Sequence, residues 1–386
     1  MRGTNEPQSS LWYSINLEDM VEAAHPLRPI KRMVDVALAR ISASFSAAYS
    51  EHGRPSVPPE RLLKALLLQC VYTIRSEREL CRRLRTDMLF RWFLDMHPDE
   101  AVFDHAVFTH NRDRLDSHGL TRKFFDSVVR QAIEAGLTSD EHFTVDGSLI
   151  QSHASLKSLK RIEREATQSE GPKDEPPRGG PTPKSRRSRN EPVDWKGERR
   201  SNDTHRSTTD PEARLYRKGN GVAANLCHSV HALTENRNGL VLAVEVDEAN
   251  GIAERESALR MVDRLKRRHG VAPTTLGADM GFDAGPFLLE LESRRIEPHV
   301  AIRPGRIKRK DECAEARRRA RDRRRLAGYC RSQRKRKLVE EYFGWGKLVG
   351  PMRRTRHVGR FKIRQQVELT GAAYNLVRMA KLLKAA

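Results

Sequence analysis

Apolar residues recur at helical spacing through the first third of the chain. Ser56-Val57-Pro58-Pro59-Glu60 has the form of a helix entry, with proline early and an acid in the first turn. Leu62, Leu63, Leu66, Leu67 and Val71 follow on one helical face. Ser76-Glu77-Arg78-Glu79 has the form of a capping box and opens a second helix through Leu84. A third is expected from about Thr86 to Asp95, so residues 11–135 read as mostly helical.

The rhythm then changes. Short runs at 141–146, about 222–233, 239–246, 274–279 and 297–302 read as strands. Helices are expected from Ile252 to Arg268 and from Pro286 to Arg295. Three strands, then helix, strand, helix, strand and a late helix is the order of a ribonuclease-H-like fold. The expected architecture is therefore α/β, a ribonuclease-H-like (retroviral-integrase-like) domain over 138–386 behind an all-α domain over 1–137. Between the first two strands, roughly 157–215, the pattern lapses. Residues 171–210 hold six prolines and only Val193 and Trp195 as large apolar residues. Such a stretch cannot offset its ordering entropy by burial, and a disordered or DNA-ordered insert is expected. Its tail, from Asp210-Pro211 to Gly219, reads as ordered again.

Charge narrows the partners. The 386 residues hold 72 Lys and Arg against 51 Asp and Glu, a net +21. That favours a polyanion, with double-stranded DNA ahead of an anionic membrane surface. No apolar run is long enough to span a bilayer and no signal peptide opens the chain, which points to the cytoplasm and the nucleoid. Five scattered cysteines without a CxxC pair read as reduced thiols rather than a zinc site. Residues 306–336 carry 15 Lys and Arg against four acids, a net +11. Within that block Arg317, Arg318, Arg319, Arg323, Arg324 and Arg325 are the expected phosphate-backbone contacts, with Arg353 and Arg354 further on. The three N-terminal helices suit either a helix-turn-helix that reads DNA or a plain bundle that braces a dimer.

Three acids can be brought together by such a fold. Asp146 ends His142-Phe143-Thr144-Val145, and Asp279 ends Thr275-Leu276-Gly277-Ala278. Glu340 lies on a patterned helix expected from Arg336 to Leu348. On a wheel of 100° per residue, Tyr342, Trp345 and Val349 fall within about 40° of Leu338, a narrow apolar stripe. Arg336, Glu340 and Lys347 share the opposite face, at about 160–200°. Two strand-end aspartates and a helical glutamate offer hard oxygen ligands for two Mg²⁺ or Mn²⁺ ions, an arrangement suited to phosphodiester chemistry.

The words around these acids carry a family resemblance. "FTVDGSLIQSHAS" around Asp146, "RSNDTHRSTTDPEARLYRKG" at 200–219, "LGADMGFDA" at 276–284 and "SQRKRKLVEEYFGWGK" at 332–347 resemble the bacterial insertion-sequence transposases of the DDE class, from about Leu11 to about Leu383. The family's R-x3-E-x6-K pattern falls on Arg336, Glu340 and Lys347. Gln333 stands where the family has tyrosine, His153 where it has tryptophan, Met280 where it has lysine, and Gly346 where it has a bulky apolar residue. The resemblance implies Asp146, Asp279 and Glu340 as metal-holding catalytic residues, Arg336 and Lys347 on phosphate, and at least a dimer on DNA. It implies a transposase that cuts the ends of its own element and joins 3′-OH to target DNA. A ribonuclease-H-like nuclease that cleaves without joining, and a catalytically silent DNA-binding relic, remain as alternatives.

Other polar residues have plainer readings. Asp283 in "GFDA" is expected to cap the helix that follows. Glu245, Asp247 and Glu248 are expected to face solvent, His153 and His205 to touch phosphate or cap a turn, and Gly346 to loosen the helix end that carries Lys347. Trp345 and Tyr342 read as core aromatics, and no glycine-rich nucleotide loop is present.

Overall fold

In the computed structural model, residues 16–50, 52–53, 55–162, 193–195, 198–217, 223–251, 253–303 and 313–385 are described. They divide into two compact units, 1–120 and 121–386, whereas the sequence pattern placed the domain boundary at 137.

The first unit is helical. Its elements are α1 (Leu17–Met20), α2 (Leu27–Arg40), α3 (Ser42–Ala48), α4 (Pro59–Val71), α5 (Glu77–Thr86), α6 (Met88–Phe93) and α7 (Ala106–Ser117). The start signals act as expected. Pro59 opens α4, and the Ser76 hydroxyl accepts the Glu79 N–H at 3.2 Å to cap α5. Asp87 caps the shorter third helix through the Phe90 N–H at 3.1 Å. Leu62, Leu63, Leu67 and Leu68 of α4 are buried, with Val34, Leu80, Leu84 and Phe93. Lys64 is also buried, and its ammonium is held by Asp95 and, at 2.5 Å, by Asp35. A buried cation needs such partners, since stripping its water without them costs several kcal/mol.

The second unit begins within α8 (Leu120–Glu134) and is built on a mixed sheet. Its elements are β1 (His142–Gln151), β2 (Leu159–Arg161), β3 (Val193–Trp195), β4 (Glu198–Arg200), β5 (His205–Ser207), β6 (Arg214–Tyr216), β7 (Asn225–Glu235), β8 (Val241–Glu248), α9 (Ala253–His269), β9 (Thr275–Ala278), α10 (Gly285–Ser293), β10 (Glu297–Val300), α11 (Ala314–Arg323), α12 (Ala327–Lys335), α13 (Leu338–Leu348) and α14 (Arg360–Ala385). Strands β1, β7 and β8 pair antiparallel, and β9 and β10 continue on the other side of β1, parallel to it. The order β8-β7-β1-β9-β10 is that of the ribonuclease-H-like fold. β6 pairs with the start of β7.

Helix α14 closes the edge of this sheet. Its Asn375 amide accepts the Val241 N–H at 2.9 Å and donates to the Val241 carbonyl at 2.7 Å. Gly371 lets α14 approach α8 closely, because a Cβ there would lie 2.9 Å from the Phe125 ring. Thr121 and Arg122 of α8 bind the buried Glu368 carboxylate of α14 at 2.9 and 2.8 Å. These contacts are why α8 belongs with the sheet.

The insert region departs in part from expectation. Residues 163–192 of it lie outside the described residues. The part after 197 is built into strands: β5 pairs with β2, and β6 with β7. One carboxylate fastens this segment. Asp210, fully buried, accepts from Ser152 at 2.6 Å, from the Gly359 N–H at 3.4 Å, and binds His228 Nε2 at 2.8 Å. Burial alone would raise its pKa, but the His228 and Ser152 hydrogen bonds outweigh it and hold the carboxyl below its usual range.

Candidate active site

The sheet brings the two aspartates level. β1 and β9 run parallel with Thr144 opposite Gly277. Two residues further along each strand direction stand Asp146 and Asp279, on the same face because side chains alternate with period two. Asp146 does not end its strand. β1 runs five residues beyond it to Gln151, held by antiparallel pairing to β7, with Asp146 opposite Ala232. Asp279 does follow its strand, and its Oδ1 accepts the Gly281 N–H at 2.7 Å.

Glu340 reaches the same place from the opposite end of the chain. A cleft of about 390 Å³ is lined by Asp146, Asp279, Glu340 and Arg336, together with Gly147, Ser148, Tyr216, Ser229 and Glu254. The expected single helix from Arg336 is broken: α12 ends at Lys335 and α13 starts at Leu338, with Arg336 at the junction. Glu340 thus sits in a first helical turn, where the N-terminal partial positive charge favours a carboxylate. The buried face of α13 is Val339, Tyr342, Phe343 and Gly346, rotated from the expected stripe, and Leu348 is 79% exposed. Trp345 and Tyr342 both pack on Tyr374, at ring separations of 5.7 and 5.5 Å, as core aromatics.

The electrostatics fit a cation site. Burial pushes the Asp146 carboxyl up, the charges of Asp279 and Glu340 push it further, and the Gly147 N–H and Arg336 oppose this. Asp146 Oδ1 accepts the Gly147 N–H at 2.8 Å. Both aspartates are thus turned to backbone donors. Among the described residues no three acidic, histidine or cysteine side chains stand in metal-holding geometry. The donor set nevertheless suits a hard divalent ion: anionic oxygens only, in one cleft, with like charges that repel until neutralised. Arg336 lines the cleft, and Lys347 Nζ lies 2.5 Å from the Ser148 hydroxyl, two residues past Asp146.

Several expectations need correction. Glu245 is buried and paired with Arg264, Asp247 accepts from Ser257 and from Arg260 at 2.6 Å, and Glu248 pairs with Arg214 at 3.0 Å, so none simply faces solvent. Asp283 does not cap α10; its carboxylate accepts the Arg303 N–H at 2.9 Å. His205 is buried against the Thr204 hydroxyl at 2.8 Å. Gln333 donates to the His299 carbonyl and so braces α12 on β10. Gly346 does not loosen α13: a Cβ there would lie 2.5 Å from Met352 Sδ, so the glycine permits close packing. In the basic block, Arg319 and Arg323 are paired with Glu292, at 2.6 and 3.0 Å, while Arg318, Arg324 and Arg325 are exposed. Arg353 and Arg354 are exposed beside the end of β1, with an isolated bridge joining Gln151 to Arg354.

Glu254, Tyr216 and Ser229 were not expected at the site. Only Glu254 left a sequence signal, as an acid in the first turn of the helix that follows the third strand.

Two family models match the chain. One, described as "Transposase domain (DUF772)", covers residues 15–114, and the other, "Transposase DDE domain", covers 201–376. The chain belongs to the insertion-sequence DDE transposases. Asp279 and Glu340 fall inside the second match, and Asp146 precedes it. No curated protein matches significantly. Among solved structures, a piggyBac transposase synaptic complex with hairpin DNA is similar at 10% identity over 93% of this chain and 76% of that chain, with a TM-score of 0.39. A Mos1 transposase paired-end complex with the left transposon end is 12% identical over 78% of this chain and 86% of that chain, with a TM-score of 0.21. A Mos1 mariner paired-end complex with Mn is 13% identical over 87% and 91%, with a TM-score of 0.20. The fold of this transposase rests on its own strand order and register. Among its described residues no helix is long and apolar enough to cross a membrane.

Proposed function

We propose that this transposase binds the terminal inverted repeats of its element, cuts there to expose a 3′-OH, and joins that 3′-OH to target DNA, with the cleft serving both steps. The observation that carries the reading is the levelling of Asp146 with Asp279 by the β1–β9 register, with Glu340 in the same cleft. Asp146, Asp279 and Glu340 would hold two Mg²⁺ or Mn²⁺ ions. Such ions polarise the phosphate and lower the pKa of a bound water.

The chain's own groups do the rest. Arg336 in the cleft and Lys347 at its rim would fix a scissile phosphate in line for attack, where positioning supplies much of the rate. Exposed Arg318, Arg324, Arg325, Arg353 and Arg354 would track the flanking backbone, contacts that carry no sequence information. Half-buried Arg317, in the first turn of α11, would join them. Base readout would then fall to the helical N-terminal unit, with two copies holding two ends. Arg319 and Arg323 have a competing duty to Glu292 and are assigned to the fold.

The test is cleavage and joining on DNA that carries the element's ends. Asp146→Asn, Asp279→Asn and Glu340→Gln should each abolish Mg²⁺-dependent cleavage and leave DNA binding near normal. Wild-type cleavage in any of them removes that residue from the site. Cleavage without joining to a supercoiled target plasmid would replace the transposase reading by that of a simple nuclease.

A further inference from the structure

Glu254 lines the same cleft as the two aspartates. It lies in the first turn of α9, which Asn250 starts by accepting the Ala253 N–H at 2.9 Å. Two glycines show where its carboxylate sits. A Cβ on Gly147, next to Asp146, would lie 3.5 Å from Glu254 Oε1. A Cβ on Gly281, two residues past Asp279, would lie 3.5 Å from Glu254 Oε2 and 2.9 Å from Asp279 Oδ1. One carboxylate therefore lies near the backbone beside each aspartate, with one oxygen toward Gly147 and the other toward Gly281. A Cβ at 147 or 281 would be in ordinary contact with it.

A second observation points the same way. His231 lies opposite Gly147 in the sheet and is fully buried. Its Nδ1 has no hydrogen-bond partner among the described residues and lies 3.0 Å from the Cβ position of Gly147, a cleft-lining residue. A buried ring nitrogen that faces the same space beside Gly147 as the Glu254 carboxylate marks a place where a polar occupant belongs.

We propose that Glu254 is a fourth carboxylate of the metal site, a ligand contributed by α9 in addition to Asp146, Asp279 and Glu340. This rests on the metal-site reading given above. An all-oxygen, four-carboxylate set is suited to Mg²⁺ or Mn²⁺ and unsuited to softer ions.

Mn²⁺ alone, with the full-length protein and no DNA, tests this. Binding is followed by the electron paramagnetic resonance signal of free Mn²⁺, and melting of the metal-free protein by circular dichroism. Glu254→Gln should weaken Mn²⁺ binding at least about tenfold, as loss of a metal-supporting carboxylate does elsewhere. Its metal-free melting temperature should stay close to wild type. Glu254→Asp should recover part of the affinity. Wild-type affinity in Glu254→Gln, beside a clear loss in Asp146→Asn, overturns the role of Glu254 and leaves the metal site standing. Unchanged affinity in Asp146→Asn, Asp279→Asn and Glu340→Gln would instead remove the metal site itself. Weakened binding in Glu254→Gln that Glu254→Asp does not improve, with melting lowered in both, would make Glu254 a packing residue and overturn the proposal.

Discussion

Single residues decide how tightly this molecule can be built. Gly346 sits where α13 meets Met352, and a Cβ would fall 2.5 Å from the sulfur. Gly346→Leu should therefore lower stability by about 1–3 kcal/mol in denaturant melts, the usual cost of overpacking. Adding Met352→Ala should recover part of that loss; an undiminished loss would mean that the helix itself resents the change. A second residue sets a pH dependence. Burial, with the charge of His299, pushes the His142 ring down to about 4 from 6.5, against the pull of Thr275 and Ser332. His299 is itself lowered by burial, with Glu297 and Arg323 beside it. The unfolded ring takes a proton near pH 6.5 and the folded ring only near 4, so its contribution is full above 6.5 and is lost as pH falls toward about 4. The loss is at most about 3 kcal/mol. Thermal melts of His142→Asn should be flatter than wild type between these limits; parallel curves would place the titration elsewhere. As candidates, Asp146 and Asp279 stood out in the sequence because each follows a short patterned run, and Glu340 because it lies on a patterned helix. Glu254 was not, because no spacing rule ties a helix's first turn to two strand ends. Asp283 was misread because its partner, the Arg303 N–H, lies 20 residues away.

Elements show the same division. Limits of the three later strands of the sheet were legible to within a few residues, since β-branched runs and turn residues bound them locally, whereas β1 runs five residues past its expected end. The junction between α12 and α13 was not, because no proline or glycine marks Arg336 and Lys337, and tertiary packing sets the break. That break also turns α13, so the apolar stripe centred on Leu338 gave way to a face centred nearer Val339 and Tyr342. The basic run could be counted but not sorted, because Glu292 and Glu297 approach from α10 and β10. The sorting has a measurable consequence. Replacing Arg318, Arg324 and Arg325 with glutamine should flatten the plot of log K against log salt by about 0.9 for each phosphate no longer neutralised. Replacing Arg319 and Arg323 should leave that slope nearly unchanged and lower the melting temperature. An equal change of slope in both sets would mean that Glu292 gives up its arginines to DNA.

At the scale of the whole molecule, the packing boundary revises how the chain can be cut. A fragment starting at 138 lacks α8, and would leave Glu368 buried without Thr121 and Arg122. Such an orphaned carboxylate is strongly destabilising. Residues 121–386 should therefore melt cooperatively and 138–386 should not. Cooperative melting of both would show that α8 is dispensable. The residues 1–120 should prefer the element's ends over random duplex at matched salt; equal affinity would move end recognition into the second unit. The same pairing of α8 with α14 also orders events during synthesis. Thr121 waits for a partner 247 residues later in the chain, and the edge of the sheet waits for Asn375. At about 5–20 residues per second, the first unit leaves the ribosome many seconds before the cleft can be completed. A nascent chain stalled near residue 360 should thus protect its first 120 residues from protease and leave the rest open to digestion. Products truncated before α14 would then lack the helix that closes the edge of the sheet.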